Sequence, residues 1–135
     1  MIKIGFTGTR HGMSDEQKIE FKKIVKSKEC EEFHHGMCVG SDEQAHAIIK
    51  DLKIKIVGHP PSFKKFMTDC LCDVTMKPFV YLERNKNIVN SSDIMIATPD
   101  TKEKIRSGTW STIRYARKQG KRIYIIHKNG RTVVE

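Results

Sequence analysis

The chain has 135 residues, 38% of them hydrophobic and 30% charged, which is enough for one domain with its own core and too little for two. Its apolar runs stay far below the roughly 18–20 residues of a membrane span. The start Met1-Ile2-Lys3-Ile4-Gly5 lacks the apolar stretch of a secretory signal, so the expectation is a cytoplasmic protein with no membrane partner. Twenty-five Lys and Arg against sixteen Asp and Glu leave a formal charge of +9. That excess points to an anionic partner without choosing among nucleotide, nucleic acid and membrane surface.

In chain order, strands and helices alternate. Ile2–Phe6 alternates apolar and small or polar residues as a strand, then enters the glycine-bearing loop Thr7-Gly8-Thr9-Arg10-His11-Gly12. Ser14 and Gln17 form a capping box, and Phe21, Ile24 and Val25 give the helix that follows its buried stripe. Glu32–Cys38 predicts a second strand. Gly40-Ser41-Asp42 is a turn and helix start, and Ala45, Ile48, Ile49 and Leu52 recur at i, i+3, i+4, i+7. Lys53–Gly58 is a third strand, broken by His59-Pro60-Pro61.

The 62–80 stretch is the least legible, with a short helix expected over Ser62–Asp69 and a turn at Lys77-Pro78. Tyr81–Asn90 reads as a helix with Leu82, Asn85, Ile88 and Val89 on one face. Asp93–Ala97 is apolar enough for a strand buried on both sides. After the polar loop Thr98–Arg106, a helix opens at Gly108-Thr109 and closes at Gly120, a C′ glycine. Lys121–His127 is a fifth strand, and Thr132–Val134 a candidate edge strand after the Asn129-Gly130 turn. Such alternation predicts a single α/β domain over residues 1–135: a Rossmann-like three-layer sandwich with a mainly parallel sheet of five to six strands and helices on both faces.

In such sheets, ligands bind beyond the carboxyl ends of the strands, and the unusual residues collect there. Thr7-Gly8-Thr9-Arg10 offers close backbone approach and a guanidinium suited to phosphate. Ser107-Gly108-Thr109 offers the free amides and positive dipole end of a helix start. Neither loop is a P-loop or a G-x-G-x-x-G fingerprint, and each glycine or hydroxyl taken singly is most simply a turn or a cap. Asn85, beside Arg84, faces inward and must be hydrogen-bonded, either to a ligand or to the loop after the first strand. Trp110 could stack on a base, but belongs more often to a core.

No metal is expected. Cys70-Leu71-Cys72 is not a zinc spacing, and His34, His35 and Cys38 cannot converge, because adjacent strand residues point to opposite faces. All four cysteines are expected as free thiols.

The ordered set TGTR (Thr7–Arg10), HHGMCVGSDEQAH (His34–His46), HPP (His59–Pro61), YLERNKNIVNSSDIMIATP (Tyr81–Pro99) and SGTWSTIRYARKQGKRIYII (Ser107–Ile126) resembles the small stand-alone, YspA-like members of the SLOG superfamily. That superfamily also contains DNA-processing protein A and the lonely-guy phosphoribohydrolases. The resemblance implies a Rossmann-like domain for a nucleotide-derived ligand, with a ligand face at Gly8, Thr9, Arg10, Gly40, Ser41, Asp42, Arg84, Asn85, Ser107, Gly108 and Thr109. It also makes a homo-oligomer, a dimer, the expectation.

One departure matters. The phosphoribohydrolases carry P-G-G-x-G-T-x-x-E. Aligned on Gly108-Thr109, that motif meets Lys104, Ile105 and Arg106 instead of Pro-Gly-Gly, and Thr112 instead of the catalytic Glu. Glycosidic hydrolysis needs a carboxylate, and Asp42 and Glu43 are the remaining candidates, although helix-start acids also serve the dipole alone. The expectation is therefore binding of a nucleotide or nucleotide-derived ligand without a cofactor. Hydrolysis or transfer through Asp42 and Glu43 is the alternative, and single-stranded nucleic-acid binding the third reading.

Overall fold

A computed structural model describes residues 1–135. Its strands are β1 (Ile2–Gly8), β2 (Cys30–His35), β3 (Lys55–Gly58), β4 (Val74–Thr75), β5 (Ile94–Thr98), β6 (Arg122–Ile126) and β7 (Thr132–Val134). Its helices are α1 (Asp15–Lys26), α2 (Ser41–Asp51), α3 (Tyr81–Asn90) and α4 (Gly108–Lys118). The strands form one sheet in the order β4-β3-β2-β1-β5-β6-β7. Every pairing is parallel except β6 with β7. The chain runs outward from β1 to β4, then returns to the centre and runs the other way. The reversal falls between β1 and β5, where Gly8 lies opposite Thr98.

Period-two alternation divides the core into two layers. Ile4, Phe6, Ile96 and Ile126 pack on one side against Phe21 and Val25 of α1 and Ala45 and Ile49 of α2. Met95, Ala97, Ile123 and Ile125 pack on the other side against Ile88 and Val89 of α3 and Trp110, Ile113 and Ala116 of α4. Trp110 is thus a core residue, and its indole Nε1–H donates to Thr101 O at 3.2 Å.

The capping box at Ser14 and Gln17 forms, and its Gln is also a tie between elements. Gln17 is buried, and its Nε2 donates to Pro99 O at 2.8 Å and Ile126 O at 2.9 Å, holding the start of α1 to the ends of β5 and β6. At the far end of α4, Gly120 has φ 70°, the left-handed position a C′ glycine fills at no steric cost.

Three expectations are corrected. Residues 62–69 form no helix. Their backbone pairs instead with the loop after β2, Val39 N–H donating to Phe66 O and Thr68 N–H to Met37 O. The sheet has seven strands rather than five or six, because Val74–Thr75 adds a two-residue edge that is exposed and too short to show a period. On α3, Leu82 is 63% exposed whereas Arg84 is buried with Ile88 and Val89. The buried stripe runs through positions 84 and 88, one helical turn apart, and a charged residue at 84 concealed it.

Candidate functional site

A cleft of about 560 Å³ opens at the carboxyl ends of the strands. Gly8, Thr9 and Arg10 line it, and so do Ser107, Gly108 and Thr109. Arg84 and Asn85 of α3 and Asp42 of α2 also line it, with the aromatic residues Phe66 and Tyr81. The cleft lies at the reversal between β1 and β5, because parallel neighbours release their following loops on the same edge. Its lining cations Arg10, Arg84, Lys104 and Arg106 outnumber Asp42 and Asp100, so the lining is basic.

Gly40, Ser41 and Glu43 do not line the cleft; they build its support. Gly40 sits at φ 89°, and a Cβ there would come within 2.2 Å of Arg10 O. Only glycine lets the two loops touch. Ser41 is buried against Gly8, where an added Cβ would meet Ser41 Cβ at 2.5 Å and Thr98 Oγ1 at 2.6 Å. Glu43 accepts from the Gly40 amide at 3.0 Å and from the Thr68 hydroxyl at 2.9 Å. Neighbouring helix residues point about 100° apart, so Asp42 and Glu43 do not face one substrate together.

Helix α4 starts at the cleft. Ser107 caps it by accepting from Trp110 N–H at 3.2 Å, while the Gly108 and Thr109 amides precede the first intrahelical bond and have no partner behind them. A Cβ built on Gly108 meets nothing within 4 Å, so a larger residue there would meet no protein atom. Thr112, on the next turn, is buried and donates to Gly108 O at 2.8 Å. Its hydroxyl is spent on the helix. At the strand ends, the buried hydroxyls of Thr9, Ser41 and Thr98 have no hydrogen-bond partner, which is costly unless something supplies one.

Arg10 lies over the Phe66 ring, 4.3 Å from its centroid, keeping the guanidinium exposed and oriented. Arg84 is buried. It donates to Gly36 O, to His59 O at 3.1 Å and to Asn85 Oδ1 at 2.8 Å, so it ties the ends of β2 and β3 to α3. Asn85 thus bonds its helical neighbour, not the loop after β1.

Asp42 is buried and accepts from Cys38 N–H at 3.1 Å. Burial pushes its carboxyl up from 3.8 to about 6, with Arg84 pulling the other way. Because the folded state holds this proton more tightly than the unfolded chain, stability falls as pH rises from about 4 to about 6. The loss is on the order of 2–3 kcal/mol for a shift of this size. Asp42→Asn should flatten that part of the curve, as urea midpoints measured across the same range would show.

His34, His35 and Cys38 do not converge. His34 Nδ1 lies 2.8 Å from His59 Nε2 on one side of the sheet, and His35 Nε2 lies 3.0 Å from His46 Nδ1 on the other. His35 has different neighbours, which sequence spacing did not suggest: with His46, Cys70 and Cys72 it forms a group whose ligating atoms all lie within 4.8 Å of one another.

No protein-family model and no curated protein matches the sequence. Solved structures do match in shape. A molybdenum cofactor binding protein from Rippkaea orientalis superposes with a TM-score of 0.72 at 22% identity, over 93% of this chain and 76% of that one. The molybdenum cofactor carrier protein of Chlamydomonas reinhardtii gives 0.65 at 18%, over 91% and 74%. DNA processing protein A from Streptococcus pneumoniae gives 0.64 at 17%, over 91% of this chain and 49% of that one. The chain has a SLOG-type fold. Within that fold, the described cleft is the strand-end opening at the sheet's reversal, and no helix is long and apolar enough to cross a membrane.

Proposed function

We propose that this SLOG-type domain binds a phosphorylated, nucleotide-type small molecule in the strand-end cleft. The observation that carries the reading is that Gly108 and Thr109, at a helix start with free amides, line the same basic cleft as Arg10. A helix start supplies N–H donors and positive dipole to a phosphate, and Arg10 adds a charge-assisted contact. Phe66 and Tyr81 offer faces for a flat heterocycle. The neighbouring structures named for the molybdenum cofactor support a small-molecule ligand in a fold of this kind, so a phosphorylated pterin belongs in the panel beside nucleotides.

Binding without turnover is the favoured form, because Thr112 is no acid and Glu43 is occupied with Gly40 and Thr68. The second reading is N-glycosidic hydrolysis with Asp42 as the acid. It is favoured by the position of Asp42 in the lining and by a carboxyl held partly protonated near neutral pH.

The test is calorimetry with nucleoside monophosphates, the corresponding nucleosides and a phosphopterin, with chromatography of the mixtures. Arg10→Ala should weaken the phosphorylated ligands about tenfold or more, from a contact of roughly 1.5–3 kcal/mol. Nucleosides should respond much less. Release of free base would replace binding by hydrolysis, and equal loss for nucleotide and nucleoside would remove the phosphate from Arg10.

A further inference from the structure

Consecutive strand residues leave a sheet on opposite faces, so β2 sends the His35 ring toward α2. There His35 Nε2 lies 3.0 Å from His46 Nδ1 and 3.9 Å from Cys72 Sγ. The chain returns past this point between β3 and β4. Leu71 is 83% exposed, and Cys70 and Cys72, two residues apart, turn to the side opposite it. We propose that His35, His46, Cys70 and Cys72 hold one tetrahedral divalent metal ion of the zinc class.

Tetrahedral N₂S₂ coordination with bonds of roughly 2.0–2.3 Å places ligand atoms roughly 3.3–3.8 Å apart. The two measured separations, 3.0 and 3.9 Å, bracket that range, and the widest in the set is within 4.8 Å. Soft thiolates with imidazoles select zinc over magnesium or calcium. Space for the sulfur is built in: a Cβ on Gly58 would lie 2.7 Å from Cys72 Sγ.

The ligating forms are neutral imidazoles and thiolates. Without metal, Met37 N–H donates to His35 Nδ1 at 3.0 Å, which leaves the ring proton on Nε2, facing His46. Loading therefore turns the Met37 amide aside, moves that proton to Nδ1 and releases the two thiol protons.

Such an ion would clip three parts of the fold together: β2, α2 and the irregular segment between β3 and β4. That segment also carries Phe66, the aromatic wall under Arg10, so the clip would steady one side of the cleft. The site itself stands on the four side chains and does not depend on which ligand the cleft takes.

The experiment is cobalt and zinc titration of the full chain after treatment with a chelator. One Co²⁺ per chain is expected, with tetrahedral ligand-field bands and thiolate-to-cobalt charge transfer, displaced by Zn²⁺. Zinc should also shield two of the four free cysteines from a thiol reagent. Cys72→Ser and His46→Ala should each lower cobalt affinity by more than about 100-fold, whereas Cys30→Ser should leave it unchanged. An octahedral cobalt spectrum, four thiols equally reactive with zinc present, or undiminished binding in the Cys70→Ser/Cys72→Ser double variant would overturn the site. The first two readouts use the unaltered chain and so do not depend on how the variants fold.

Discussion

Gly108→Val should abolish binding of phosphorylated ligands while leaving the fold and its stability nearly unchanged. Gly108 is the first residue of α4, and a side chain there would meet no protein atom within 4 Å. A branched side chain at this position would crowd the close approach of a phosphate to the Gly108 and Thr109 amides. Loss of the amide contacts together with the helix-end field removes more than the Arg10 contact alone, so the drop should exceed the roughly tenfold expected for Arg10→Ala. Calorimetry with a nucleoside monophosphate checks the affinity, and a thermal melt checks the fold. Retained affinity in a well-folded Gly108→Val protein would place the phosphate elsewhere.

Arg84→Met should be strongly destabilising, at roughly 1–3 kcal/mol for each of the two buried carbonyls left without this donor. The buried guanidinium satisfies the carbonyls of Gly36 and His59 at the ends of two strands, and its charge partly offsets the burial of Asp42. Methionine fills the space but leaves those carbonyls without a donor and the carboxylate without its cation. A loss of this size is a large part of a domain's total stability of roughly 5–15 kcal/mol. Because the two charged groups are coupled, the Arg84→Met/Asp42→Asn double variant should cost less than the two single changes added. Urea denaturation of the four proteins measures this. Additive costs would mean that Arg84 acts through its carbonyl contacts alone.

The alternation of β-strands and helices was readable because most elements carry one dominant period. Ile4 and Phe6 repeat at two, and Ala45, Ile48, Ile49 and Leu52 repeat at helical spacing. Where the period was hidden, the reading missed. Leu82 suggested the wrong face of α3, because the inward residue one turn before Ile88 is an arginine whose partners are backbone carbonyls from distant strands. The 59–73 segment has no period, since its backbone bonds go to scattered partners: His35, Phe79, and Met37 and Val39 of the loop after β2.

The residues around the cleft could be found from their places after strands, but their separate parts could not. Gly40, Ser41 and Glu43 stand in the same motif as Asp42, yet they pack against Arg10, Gly8 and Thr68 rather than face the opening. The His35, His46, Cys70 and Cys72 group was invisible for a different reason. It joins a strand, a helix and a distant loop, and no local spacing encodes that.

The central claim is that the start of α4 receives a phosphate. Amide chemical shifts of the full chain, followed during titration with a nucleoside monophosphate and separately with its nucleoside, test it most directly. The account predicts that the monophosphate moves the Gly108 and Thr109 amides most, with those of Thr9 and Arg10 close behind, and that the nucleoside leaves Gly108 and Thr109 nearly still. Shifts confined to other surfaces, or equal movement of Gly108 and Thr109 with both compounds, would contradict it.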